Sequence, residues 1–290
     1  MRAVKPPADT IVNEGGVNMS VWNIKVLYYG ELKIPKAMAT PGLDADLLID
    51  SPYLGFLLQN GKRNVLVDTG ISDNYIVDGK AFGNFPARGG LRYVEQSLEK
   101  AGVSPLEIDT ILFTHLHNDH AGNTSIFKNA RLIFQKDEWA NLLDPLPIVR
   151  VRKDYDLALI DELKAADCVK VHGDFELTGG IKCFRTPGHT PGSMSVAVNT
   201  PNGIRILVGD LWPLTCLAFS RQTEITDMEG RKHRITPAPR EYGHFMPPSS
   251  LICDFADYYD SCNRILAMIP EDSPEYIVAG HEPALVFTGV

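Results

Sequence analysis

Apolar and polar positions alternate along the chain with periods that switch between about 2 and about 3.6 residues, which predicts strands and helices in turn. "WNIKVLYYGEL" (22–32) reads as a strand. "YLGFLLQNGKRNVLVDTG" (53–70) predicts a hairpin, because two apolar runs flank Asn60-Gly61, a turn pair that tolerates positive φ. "LRYVEQSLEKAG" (91–102) sets Leu91, Val94 and Leu98 on one helical face, with Gly102 as a stop. "DTILFTH" (109–115) and "ARLIFQ" (130–135) are short buried strands, the second leading into a helix near 136–143. "DYDLALIDELKAA" (154–166) predicts a helix, and "FELTGGIKCFRTPG" and "SMSVAVNTPNGIRILVGD" are β again. A long helix is expected around 251–269, with Ile252, Phe255, Tyr259, Cys262 and Leu266 as its core stripe, before a last strand "EYIVAG" (275–280). Trp139, on the helix after "IFQ", is expected in the core.

Between Asp210 and that helix, residues 211–250 lack apolar periodicity in their middle and are apolar at both ends. Structureless stretches of this length inside a domain are usually functional or disordered. The segment is therefore expected to be a lid whose Trp212, Phe219, Tyr242, His244 and Phe245 form a substrate pocket. Its alternative is packing on its own sheet or on a second subunit, so a homodimer stays open.

There is an internal echo. "NGKRNVLVD" (60–68) and "NGIRILVGD" (202–210) share an Asn-Gly turn, an apolar strand and a closing Asp at the same offset. "TILFTH" and "YIVAGH" likewise end on His115 and His281. Two similar β-rich halves, each delivering acids and histidines to one rim, are expected.

Composition narrows the classes. With 290 residues the chain has room for one large domain or two small ones. A net charge of −8 argues against nucleic acid or an anionic membrane as partner. The five scattered cysteines form no CxxC pair and fit reduced thiols in the cytoplasm. No apolar run approaches the ~18 residues of a membrane span, and the start of the chain has no apolar signal core. Residues 1–21 are expected to be a flexible arm ahead of one domain, 22–290.

The chemistry concentrates in "THLHNDHAGN", where His115, His117, Asp119 and His120 occupy six positions directly after a buried strand. Imidazole and carboxylate are the usual ligands of zinc, and also suit iron, manganese or cobalt. Four such groups exceed what one open catalytic ion needs, so two ions sharing the loop are expected. His189 in "RTPGHTPGS", Asp210 after "IRILVG" and His281 after "YIVAG" repeat the pattern of a strand followed by one ligand. His172, His233 and His244 read as structural or solvated.

"VLVDTG", "THLHNDHAG", "TPGHTPGS", "LVGD" and "VAGH", in that order, resemble the metallo-β-lactamase superfamily of hydrolases over about 22–288. The resemblance implies an α/β, four-layer αββα sandwich with a dinuclear site at one edge of the sheets. His115, His117 and His189 would hold the first ion, Asp119, His120 and His281 the second, and Asp210 would bridge them. Asp68 would not be a ligand but would orient a ligand imidazole. Two divalent ions, zinc foremost, would supply hydroxide for attack on a carbonyl or phosphorus, with Asp119 and Asp210 as the catalytic carboxylates. Among the branches, the chain resembles the lactonases that open N-acyl homoserine lactones, and a small cyclic ester or amide is the expected substrate. Thioesterase, phosphoester hydrolase and mononuclear-iron persulfide dioxygenase are the alternatives. One departure stands out: lactonases often place a Tyr three residues after the bridging Asp, and Pro213 occupies that position here.

Overall fold

The computed structural model describes residues 10–12, 18–249 and 252–290. Most of the expected N-terminal arm lies outside the described residues; within it, Thr10–Val12 pairs antiparallel with Asn18–Ser20. Two larger sheets form the centre. The first has eight strands, in the order Cys168–Val171, Arg131–Gln135, Thr110–Leu112, Asn64–Val67, Leu48–Gln59, Asn23–Pro35, Phe85–Gly89 and Lys80–Ala81. The second has five, in the order Phe175–Thr178, Ile181–Arg185, Met194–Thr200, Gly203–Gly209 and Ile277–Ala279.

Strand periodicity explains how the sheets stack. Successive side chains point to opposite faces, so Val65 and Val67 enter one apolar cluster and Leu66 the other. Leu54, Phe56 and Leu58 meet Cys183, Met194, Val196 and Leu207 between the sheets. Leu57, Leu66 and Ile111 face outward and join Val94 and Leu98 of the helix Leu91–Ala101. On the far side Ile206, Val208 and Ile277 belong to the cluster that also takes Tyr258, Cys262 and Ile265 of the helix Phe255–Leu266. Strands buried on both faces read as continuous apolar runs, as these do. The result is an αββα sandwich. No described helix is long and apolar enough to cross a membrane.

The echo has a topological counterpart. In each sheet an antiparallel hairpin is followed by a strand that returns parallel to its second arm: Asn64–Val67 beside Thr110–Leu112, and Gly203–Gly209 beside Ile277–Ala279. Parallel neighbours end on the same rim, so Asp68, His115, Asp210 and His281 emerge from one edge of the sandwich.

Three expectations need correction. The long helix buries Tyr258, Cys262 and Ile265, while Phe255 is 62% exposed and Tyr259 lies against the Phe245 ring at 5.1 Å. The helix carries two apolar stripes that share Cys262, and Ile252 precedes the Asp254 cap, so periodicity alone could not choose between them. The helix expected over 154–166 spans only Leu159–Ala165. Asp154 is instead held by Arg152 at 2.6 Å, and its carbonyl accepts the Asn118 N–H at 2.7 Å. Trp139 packs against the core but stays partly buried, with the Lys170 ammonium 4.0 Å from its ring centroid.

Candidate metal centre

Each candidate ligand sits just past a strand. Thr110–Leu112 ends three residues before His115, and the segment from His115 to His120 folds into a turn in which His120 and Ala121 both donate to the His117 carbonyl. Asp210 follows Gly209, whose φ is +52° and at which a Cβ would lie 2.8 Å from Thr114 Oγ1. His281 follows Gly280, where a Cβ would fall 2.7 Å from Asp210 Oδ1. Side chains at these two positions would push into the rim, so the close approach of the two strand ends requires glycine.

The seven residues converge. His189 Nε2 lies 3.2 Å from His115 Nε2 and 3.1 Å from His117 Nδ1. Asp210 Oδ2 is 3.6 Å from His189 Nε2, while its Oδ1 is 3.4 Å from His120 Nε2 and 3.1 Å from His281 Nε2. Asp119 stands 3.7 Å from His281 and 3.9 Å from His120. One oxygen of Asp210 thus faces each half of the cluster. Around a tetrahedral centre with bonds of ~2.0–2.1 Å, neighbouring donors are about 3.3–3.4 Å apart, close to the spacings seen here. Among the described residues, the buried His120 Nε2 and Asp210 Oδ1 have no hydrogen-bond partner.

The outer ring nitrogens fix which way the inner ones face. His120 Nδ1 lies 2.9 Å from Asp68 Oδ2, and His281 Nδ1 lies 2.8 Å from the Pro52 carbonyl. A carboxylate and a carbonyl only accept, so both Nδ1 atoms carry the proton. Thr114 donates its hydroxyl to Asp68 Oδ2 and its backbone N–H to Asp68 Oδ1, leaving its oxygen to accept from His115 Nδ1 at 3.1 Å. The two echoing aspartates therefore flank His120, Asp68 on Nδ1 and Asp210 on Nε2. With Nδ1 committed outward, Nε2 of His115, His120 and His281 is left to face the other members of the cluster. The donor set fits divalent metal ions.

The halves differ electrically. Burial, reinforced by neighbouring imidazoles, holds His115 and His117 well below the ordinary histidine range. Burial also opposes charge on His120 and His281, but Asp210 and Asp119 outweigh it and hold both above that range. Asp210 is held well below the usual carboxylate range: burial works against its charge, and His281 and His120 overcome that.

One buried group was not anticipated from the sequence. The Glu138 carboxylate accepts from Leu116 N at 2.8 Å, Gly192 N at 3.0 Å, Thr190 Oγ1 at 2.5 Å and the Tyr155 hydroxyl at 3.2 Å. It ties the His115–His120 turn to the loop bearing His189, and the Tyr155 ring packs on His117 with centroids 4.8 Å apart. An acidic residue in the first turn of a short helix carries no sign of this in the sequence.

A cleft of about 720 Å³ opens onto Asp119, Asp210 and His281. Its walls come from Leu32, Ile34, Met38, Tyr53 and the segment from Ile71 to Asn84, with Pro213 and Pro248 as the contribution of residues 211–250. Trp212, Phe219, Tyr242, His244 and Phe245 do not line it. Trp212, Phe219 and Phe245 are buried, with Trp212 edge-on to Phe245 at 5.9 Å and Phe219 beside His244 at 5.7 Å. His244 points to Asp272 at 3.2 Å. The segment folds as a short helix Thr215–Ala218 and a hairpin, Glu224–Thr226 with Lys232–Arg234, and its apolar ends pack inward. His172 is exposed and His233 pairs with Asp227 at 2.8 Å, both away from the cluster.

An αββα sandwich with a His/Asp cluster at the shared edge of its sheets defines a class of metal-dependent hydrolases. The model of the metallo-β-lactamase superfamily matches residues 51–281, and the chain belongs to that superfamily. Among curated relatives, the N-acyl homoserine lactonase AiiA of Bacillus thuringiensis subsp. kurstaki is 26% identical over 202 residues, covering 64% of this chain and 74% of that protein. The N-acyl homoserine lactonase AiiB of Agrobacterium fabrum is 37% identical over 102 residues, covering 32% and 36%. A solved N-acyl homoserine lactone hydrolase, with N-hexanoyl-L-homoserine at its catalytic metal centre, matches 91% of this chain and 94% of its own at 21% identity and a TM-score of 0.68. The dizinc quorum-quenching lactonase AidC matches 87% and 84% at 19% identity and a TM-score of 0.61.

Proposed function

We propose that this protein hydrolyses a small cyclic ester, a lactone carrying an apolar arm, using two divalent ions of which zinc is the first choice. The observation that carries this reading is the cleft, which is lined both by apolar Leu32, Ile34, Met38 and Phe82 and by Asp119, Asp210 and His281 of the cluster. An apolar arm along that apolar lining would bring a ring carbonyl to the cluster, and the lactonase activity of the relatives supports the same substrate class. His115, His117 and His189 would hold one ion, and Asp119, His120 and His281 the other, with Asp210 between them. When bound, the ions supply Lewis acidity and a water that ionises near neutral pH.

The chain's own groups do the rest. Asp68, the Pro52 carbonyl and Thr114 hold Nδ1 of His120, His281 and His115 and so orient the three rings before any ion arrives. Asp119 is the ligand candidate most open to the cleft, at 25% side-chain exposure against 8% for Asp210 and His281. That position suits it to take a proton from the attacking water and return it to the departing ring oxygen.

The test is a hydrolysis panel of N-acyl homoserine lactones with short and long acyl chains, γ- and δ-lactones, β-lactams, thioesters and phosphodiesters. Metal content is measured on the same sample, with oxygen uptake as a control. We expect lactones to lead, with kcat/KM rising as the acyl arm lengthens. A phosphodiester or an open-chain thioester preferred by 100-fold, or turnover that consumes oxygen, would overturn the reading.

A further inference from the structure

A hydrogen-bond donor at the oxygen that gathers charge would add to the Lewis acidity of the ions, and Pro213 has none to give. Its ring offers no polar hydrogen, and its carbonyl already accepts the His281 N–H at 2.9 Å. Three other donors on the cleft wall are already committed, while the side chains of Ser51, Asn74, Lys80, Asn84 and Lys153 on that wall make no hydrogen bond to a described residue. Asn118 donates to the Lys153 and Asp154 carbonyls, Arg152 to the Asp154 carboxylate, and the Tyr75 hydroxyl to the Tyr155 carbonyl at 2.8 Å.

Tyr53 is different. It lines the cleft with Asp119, Asp210 and His281. It directly follows Pro52, whose carbonyl holds His281 Nδ1, so its backbone is locked to a candidate ligand. Its ring stands edge-on to the His281 ring, with centroids 6.3 Å apart and planes at 77°. The residue is 3% exposed, which fixes the ring, yet its hydroxyl makes no hydrogen bond to any described residue and is not among the fully covered polar atoms that lack a partner. Tyr29 shows the contrast: its hydroxyl also lacks a partner but is covered, directly under Gly55.

We propose that the Tyr53 hydroxyl donates a hydrogen bond to the substrate carbonyl oxygen, in the place that Pro213 leaves without a donor; this rests on the ester-hydrolase reading above. The water gives one proton to Asp119 as its oxygen bonds to the carbonyl carbon. The carbonyl π pair moves onto the oxygen, which accepts the hydrogen bond while the phenol keeps its proton. When that pair re-forms the double bond, the ring C–O bond breaks and Asp119 returns its proton to the leaving oxygen. Water has then been added across the ester, and Tyr53 and Asp119 are as they began.

The experiment compares wild type with Tyr53→Phe on an oxo-lactone and on the thiono-lactone of the same ring, whose sulfur is the poorer acceptor. Loss of one oxyanion donor costs on the order of 10²–10³ in kcat. We expect a loss of about 10² on the oxo substrate, one below about 10 on the thiono substrate, and unchanged metal content. The ratio of the two rates cancels the amount of loaded enzyme, so it reads the hydrogen bond even if the variant folds or binds metal less well. Equal losses on both substrates, or no loss on the oxo-lactone, would overturn the role of Tyr53. If wild type leaves lactones untouched, the substrate reading fails separately. The same pair is then compared on the best carbonyl substrate of the panel, where retention of full activity by Tyr53→Phe would overturn the inference by itself.

Discussion

Replacing Glu138 by Gln removes one charge and adds one N–H pair at the point where the two ligand-bearing loops meet. Oε1 of Glu138 takes the Gly192 N–H and the Thr190 hydroxyl, and Oε2 takes the Leu116 N–H and the Tyr155 hydroxyl. A glutamine has one acceptor oxygen, so whichever way its amide turns, its NH₂ faces one backbone N–H and one hydroxyl. The hydroxyl can rotate to accept; Thr190 already has Ser193 Oγ at 2.7 Å as a second partner. The backbone N–H cannot rotate. One orphaned buried N–H costs roughly 1–3 kcal/mol, and the remaining bonds lose their charge assistance. A destabilisation of about 2–4 kcal/mol follows, or a fall in Tm of roughly 4–8 °C at about 2 °C per kcal/mol for a chain of this size. Because the bonds join the His115–His120 turn to the His189 loop, affinity for the first ion should fall by about 10–100-fold, as for other groups that support ligands. Urea unfolding of the metal-free protein and competitive metal titration read the two effects separately. A variant within about 0.5 kcal/mol of wild type and of unchanged metal affinity would refute the bracing role.

Other consequences follow from the same geometry. Asp210→Ala removes the oxygens that face both halves of the cluster, so at least one ion and most activity should be lost; elemental analysis and rate assays that found two ions in an active variant would contradict this. His120 and His281 are held above the ordinary histidine range in the metal-free protein, whereas His115 and His117 are held well below it. A metal must displace the protons of the first pair but not of the second, so affinity at the Asp119/His120/His281 half should rise more steeply with pH. Calorimetry in buffers of different ionisation heat should find that the weaker-binding ion at pH 6 releases more protons. Trp212→Ala, at a fully buried ring, should cost about 3–5 kcal/mol of stability and leave the order of substrate preference unchanged, as denaturation and the hydrolysis panel would measure.

Much of this architecture is readable without coordinates, because it depends on local periodicity and on contiguous chemistry. The alternation in "NVLVD" states which residues face which layer, and Leu66 and Val67 do part to different clusters. Side chains separated by one or two residues after a strand end cannot lie far apart, so the closeness of His115, His117 and His120 is already implied by their spacing. The strand echo carried further than expected, since parallel neighbours bring Asp68 and Asp210 to opposite sides of one imidazole. What the sequence could not decide is which neighbour a hydrophobic or acidic side chain meets. Trp212 and Phe245 are as apolar as a pocket wall requires, but here they close on each other beneath the surface. The cleft is walled instead by residues from two distant strands and the segment from Ile71 to Asn84. Glu138 looks like one more polar residue on an amphipathic helix until the fold sets two backbone N–H groups, from residues 22 before it and 54 after it, against its carboxylate. Hydrophobicity and charge are properties of a residue and are written in the chain. A wall, a brace or a free hydroxyl is a relation between residues far apart in sequence, and it exists only once the sheets have stacked.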